Sequence, residues 1–170
     1  MKTTLLITAL LFASTASANP ITMDGPCNVY FSPKGGATEA VVNLINGAHQ
    51  SIRVLAYSFT STPIANALVA AKTRGVDVEI ILDKTQPTAK GGEMQYVMAA
   101  GIPVWVDSVH AIAHNKVMLV DGKYIETGSF NYTSSAEKSN GENALICPSV
   151  SGYNTYLQNW KLHQSHSVKQ

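Results

Sequence analysis

The chain has 170 residues, 45% of them hydrophobic, with 12 lysines and arginines against 11 aspartates and glutamates and two cysteines. That length buries an ordinary core without metals or staples. A formal net charge of +1 excludes a global electrostatic field as the means of attracting nucleic acid. Any such attraction has to come from local clustering among Lys72, Arg74, Lys84, Lys90, Lys123 and Lys138.

The first 18 residues read as a cleavable secretory signal: Lys2 is a positive start, residues 5–13 are mostly apolar, and Ala16-Ser17-Ala18 is a small-x-small site before Asn19. The apolar run is too short to span a bilayer, and no later stretch is long and apolar enough. The expectation is a periplasmic or secreted protein without stable membrane association, a single domain over residues 19–170. Losing Lys2 leaves that domain formally neutral. Cys27 and Cys147 can pair in an oxidising compartment or stay as two buried thiols. Without CxxC spacing or a nearby histidine cluster, they do not suggest structural zinc, and no metal or cofactor is expected.

In chain order, residues 28–31 read as a short strand and 37–48 as a helix, with apolar positions at Ala40, Val41, Leu44 and Ile45. Residues 52–58 are strand-like. Thr62-Pro63 starts a helix that runs to Arg74 before Gly75. Residues 76–82 form a strong strand; a helix over 93–100 stops at Gly101, and 104–106 is another strand. This alternation predicts parallel pairing through right-handed crossovers, hence a mixed, mainly parallel α/β sheet with helices on both faces. The rhythm then changes. Residues 116–120 and 123–127 flank Asp121-Gly122, a two-residue hairpin signal. A strand over 143–147 and a helix over 153–163, with Tyr156, Leu157 and Trp160 inward, close the chain.

The chemistry concentrates on this hairpin. If Val120 pairs with Lys123, then Lys116 faces Thr127 and His114 faces Ser129, so His114, Lys116, Ser129 and Asn131 converge on one sheet face. A one-residue slip would break that convergence. An imidazole can attack phosphorus or move a proton near neutral pH. Lys116 can neutralise a phosphate oxygen, and Ser129 and Asn131 can donate hydrogen bonds to the same group. Glu142 is the candidate acceptor for the His114 ring proton. Glu126 is the alternative, but in this register it points to the opposite face. Asp121 at the turn serves the backbone rather than the chemistry. His110 reads as a loop residue, and His49, His163 and His166 as surface or helix-end residues. Tyr57, Trp105 and above all Tyr132 are the aromatics considered for base stacking.

His114-x-Lys116, four residues, Asp121, six residues, Gly128-Ser129-x-Asn131 resembles the HKD motif of the phospholipase D superfamily, with every fixed element present. Residues 56–60, 72–83 and 139–143 are similar to its small exported bacterial endonucleases of the Nuc type. The resemblance implies the phospholipase D-like α-β-α sandwich and a metal-independent, sequence-nonspecific endonuclease acting on DNA or RNA through a phosphohistidine at His114. It also implies phosphate binding by Lys116 and Asn131, orientation of His114 by Glu142, and a homodimer that brings two copies of His114 into one site, since this chain carries one motif where the family's sites use two. The competing readings are a phospholipase D or phosphatidyl transferase acting on phospholipid head groups, and a DNA-binding protein without catalysis.

Overall fold

The computed structural model describes residues 18–170. The expected signal segment, Ala18 apart, lies outside the described residues. Among the described residues, eight strands form one sheet in the order β1-β7-β6-β5-β2-β3-β4-β8. They are β1 (Asn28–Ser32), β2 (Ser51–Ala56), β3 (Asp77–Asp83), β4 (Val104–Asp107), β5 (Lys116–Val120), β6 (Tyr124–Gly128), β7 (Glu142–Pro148) and β8 (Val168–Lys169). The helices are α1 (Ala37–Asn46), α2 (Thr62–Thr73), α3 (Met94–Ala99), α4 (Ser134–Lys138) and α5 (Val150–His166).

The sheet is mixed, with helices on both faces, but it is mostly antiparallel rather than mainly parallel. Only β2–β3 and β3–β4 are parallel pairs, and the other five are antiparallel. The reason lies in β1. Alternation along the sequence suggests that β1 joins β2, but β1 instead crosses to the far edge and pairs with β7. There Cys27 and Cys147 are joined in a disulfide. A bridge closing a loop of 120 residues contributes about 4–5 kcal/mol in the chain-entropy account.

Strand side chains alternate between two cores. Val54, Ile80, Leu82, Met118 and Val120 pack with Val41, Ile64 and Leu68 of α1 and α2 on one face. Leu55, Ile81, Val117 and Leu119 pack with Tyr153 and Trp160 of α5 on the other, where Tyr156 and Leu157 also rest. The Trp160 indole donates to the Val54 carbonyl at 2.9 Å, satisfying its one polar atom in that core.

The hairpin differs from expectation by one residue. Asp121 and Gly122 both take positive φ (54° and 70°), as a primed turn requires. Yet Val120 pairs with Tyr124 and Val117 with Thr127. The Lys123 carbonyl, which would close a two-residue hairpin, accepts instead from the Ser149 amide at 2.7 Å, just before α5. Lys123 therefore joins the loop and the register slips.

Candidate active site

The slip is cancelled at the other end of β6. Beyond Gly128 the amides of Ser129 and Phe130 both donate to the Asn143 carbonyl at 3.1 Å, the two-on-one pattern of a β-bulge. The bulge re-aims the chain, and a cleft of about 290 Å³ forms that is lined by His114, Lys116, Gly128, Ser129, Asn131 and Glu142. The expected residues thus meet, though by a different route. Gly128 is required there, because a Cβ would lie 2.2 Å from the Asn143 carbonyl oxygen.

Each side chain is fixed by its element. Lys116 opens β5 opposite Ala56, at the carboxyl end of β2. It is 6% exposed, and its Nζ lies 3.0 Å from His114 Nδ1, 3.2 Å from Nε2 and 2.9 Å from the His114 carbonyl oxygen. Burial pushes the Lys116 ammonium below the ordinary lysine value, and the Glu142 carboxylate opposes that shift. The ammonium thus sits against the imidazole, within reach of both ring nitrogens. Tyr57 flanks the pair, its ring centroid 4.5 Å from that of His114 and 5.3 Å from Lys116 Nζ.

Glu142 lines the cleft, and among the described residues no hydrogen bond joins it to His114. Its Oε1 accepts from Asn140 Nδ2 at 3.2 Å, while Lys116 lies against the imidazole. The Glu142 charge acts on Lys116. Ser129 Oγ accepts from the Asn143 amide at 3.1 Å. Asn131 Oδ1 is buried and has no hydrogen-bond partner among the described residues. The group left to donate into the cleft is the Asn131 side-chain NH2.

Asp121 serves the backbone, as expected. Its carboxylate accepts from the amides of His49, Gln50 and Ser51 at 2.8, 2.8 and 2.9 Å, tying the hairpin turn to the start of β2. Burial would raise its carboxyl, but those amides and the nearby His49 hold it below the ordinary value.

One correction follows from the register. Glu126 opposes Met118, so it lies on the same face as Lys116, not the opposite one. It is wholly buried and accepts from the Tyr132 hydroxyl. Tyr132 is therefore a core residue with no face open to a base. Trp105 packs edge-on against Trp160, and Lys169 lies over its ring. Among these three aromatics, only Tyr57 borders the catalytic candidates.

Sequence reasoning also missed Asp83. At the end of β3, its Oδ2 accepts from the Ala113 amide at 2.7 Å, and the next residue is His114. The Tyr57 amide holds the Asn115 carbonyl at 2.9 Å on the other side. The signal was an acid closing an apolar strand at the carboxyl edge of the sheet, where ligands of open α/β sheets bind.

The profile of the family described as "Cardiolipin synthase, PLD-like domain" matches residues 41–161. A phospholipase D of Rickettsia felis is 41% identical over 130 residues, 76% of this chain and 65% of that protein. The match therefore spans slightly less than two thirds of that relative's length. A mitochondrial cardiolipin hydrolase of Xenopus laevis is 36% identical over 100 residues, 59% of this chain and 48% of the hydrolase. Among solved structures, the phospholipase D family member Nuc from Salmonella typhimurium superposes with a TM-score of 0.82 at 39% identity, covering 85% of this chain and 97% of Nuc. With its cleft built from the motif residues and its sequence matched over most of the domain, this chain belongs to the PLD-like domain family of the phospholipase D superfamily.

Proposed function

We propose that this chain is a phosphodiesterase, and specifically a sequence-nonspecific endonuclease that cleaves DNA or RNA through a phosphohistidine at His114. The observation that carries the reading is the buried Lys116 ammonium set against the His114 imidazole, in a cleft that Asn131 also lines. A phosphodiester entering the cleft offers anionic oxygens to the Lys116 ammonium and to the side-chain NH2 of Asn131. As the ammonium turns to those oxygens, the imidazole lone pair is released toward phosphorus. Charge accumulating on phosphate in the transition state strengthens both contacts.

Formation of the P–N bond breaks the P–O bond to the leaving sugar oxygen, which needs a proton. In a homodimer the partner subunit's His114 supplies it. That imidazole then takes a proton from water, whose oxygen attacks phosphorus, breaks the P–N bond and restores the first His114. A self-complementary interface at the cleft mouth would bring the two copies together. Export to the periplasm or the medium, through the segment over residues 1–18, belongs to the same reading.

The test is a rapid quench with phosphate-labelled DNA. The expected product is label on His114 in an acid-labile, base-stable bond, absent in His114→Ala. Rapid turnover with no adduct would exclude this mechanism. Mixing His114→Ala with wild type should give heterodimers far below half activity, because each site needs both imidazoles.

The names of the curated relatives support a second reading, hydrolysis or transfer at phospholipid head groups by the same residues. None of the described helices is long and apolar enough to cross a membrane. Release of choline from phosphatidylcholine vesicles, with DNA left intact, would select the lipid reading.

A further inference from the structure

Outside the cleft, the chain gathers a second set of titratable groups at the same end of the sheet. Asp107 ends β4, His110 lies in the loop leading to His114, and His163 and His166 occupy the last turn of α5. The geometry points to a structural divalent transition-metal site made by Asp107, His110, His163 and His166, with zinc as the ion its ligand chemistry fits.

Three imidazole nitrogens converge on one oxygen. His163 Nδ1, His110 Nδ1 and His166 Nε2 lie 2.6, 2.9 and 3.3 Å from Asp107 Oδ2. The four ligand atoms all fall within 4.8 Å of one another. Ring centroids are 4.8–5.4 Å apart, so the imidazoles face a common point rather than dispersing into solvent. A carboxylate oxygen has two lone pairs, so Asp107 Oδ2 cannot accept from all three imidazoles at once. A cation about 2 Å from each ligand removes the conflict, since each imidazole then turns a lone pair inward.

The donor set selects the metal. Three nitrogens and one carboxylate oxygen suit zinc and its borderline neighbours, whereas magnesium and calcium require oxygen-rich shells. The Asp107 side chain is fully buried, and those of His163, His166 and His110 are 9%, 25% and 44% exposed, leaving an entry path on the His110 side.

The site's position gives it a purpose. Its ligands come from both ends of a single junction: two from the β4 end and the loop before His114, two from the end of α5. An ion there would clamp that loop to the C-terminal helix, immediately before β8 pairs with β4. It would brace the fold at that junction, outside the cleft, without touching substrate.

This inference does not depend on the nuclease reading, because its test reads metal and not cleavage. The full chain, purified without chelators, is assayed for metal by mass spectrometry. The stripped protein is then titrated with cobalt(II) alone. The expected result is one ion per chain, and visible absorption bands of four-coordinate cobalt at one equivalent. His114→Ala should keep both signals. The double variant His110→Asn/His166→Asn changes the two most exposed ligands, so the fold is expected to survive, and its cobalt affinity should fall at least tenfold. Circular dichroism checks that it is folded. Absence of stoichiometric metal together with no cobalt bands in the wild type would overturn the proposal. So would undiminished binding by the folded double variant.

Discussion

The Tyr132 hydroxyl donates to the Glu126 carboxyl in the core, and both residues are wholly buried. Burial raises Glu126 from an ordinary 4.5 to about 8, against the lowering effect of the Tyr132 hydrogen bond. It also pushes Tyr132 well above 10, with the Glu126 charge and hydrogen bond adding to the effect. A carboxyl whose folded value is raised binds its proton more tightly when folded. Its contribution is complete below about 4.5 and is lost as pH rises toward about 8. Wild type should therefore lose thermal stability across that window more steeply than Glu126→Gln. Parallel melting curves from pH 5 to 9 would contradict this account.

Lys116 tests the phosphate role. Lys116→Met preserves much of the buried stem and removes the charge. Its kcat on DNA should fall about 10²–10³-fold, the usual cost of losing a transition-state oxyanion donor. Lys116→Arg should recover little, because a planar fork does not fit the space of a compact ammonium held against His114. Single-turnover rates on labelled DNA measure both.

Gly128→Ala should lower stability by about 1–3 kcal/mol, the range for overpacking a close contact. The added carbon would meet the Asn143 carbonyl that anchors both Ser129 and Phe130. Activity should drop more than stability accounts for, since the bulge aims Ser129 and Asn131. Urea unfolding alongside kinetics separates the two losses.

Asp121→Ala removes the acceptor of three backbone amides and should cost about 1–3 kcal/mol. The folded carboxyl sits below its ordinary 3.8. The contribution is thus present above that value and disappears as pH falls through the folded one. The variant should differ from wild type at pH 7 and converge with it in acid, as read by urea midpoints. The substrate KM should stay near the wild-type value.

Chelation distinguishes a metal that holds the fold from one that performs chemistry. After brief EDTA treatment well below the melting transition, the initial rate of DNA cleavage should be close to that of untreated protein. The melting temperature should nonetheless fall as the ion leaves. Immediate loss of the first turnover would place a metal in the reaction and overturn the phosphohistidine route.

The motif residues, the strands β2, β3 and β5 and the inward side of α5 were all legible, because period and spacing are local properties. What was not legible depended on distant partners. Nothing near Asp121 announces that Ser149 takes the Lys123 carbonyl, so the hairpin register and the face of Glu126 came out wrong. Nothing in residues 28–31 indicates pairing with β7, so the share of parallel strands was overstated. α4 and β8 went unread because short elements carry too few side chains to show a period. His163 and His166 sit three apart on the last turn of a helix, a visible pattern, but Asp107 and His110 join them only through the fold.

The pairing of β1 with β7 also sets a temporal order. β1 is made early, yet its hydrogen-bonding neighbour arrives only when synthesis reaches residues 142–148. Until then Val29 and Phe31 have no edge to join, and Cys27 has no intramolecular sulfur to meet, because the second cysteine follows 120 positions later. The first strand to emerge is among the last to be seated, so the nascent chain carries an open β-edge and a free thiol through most of its elongation. A holdase that covers that edge, or an oxidant that acts late, would serve this fold better than one that acts early.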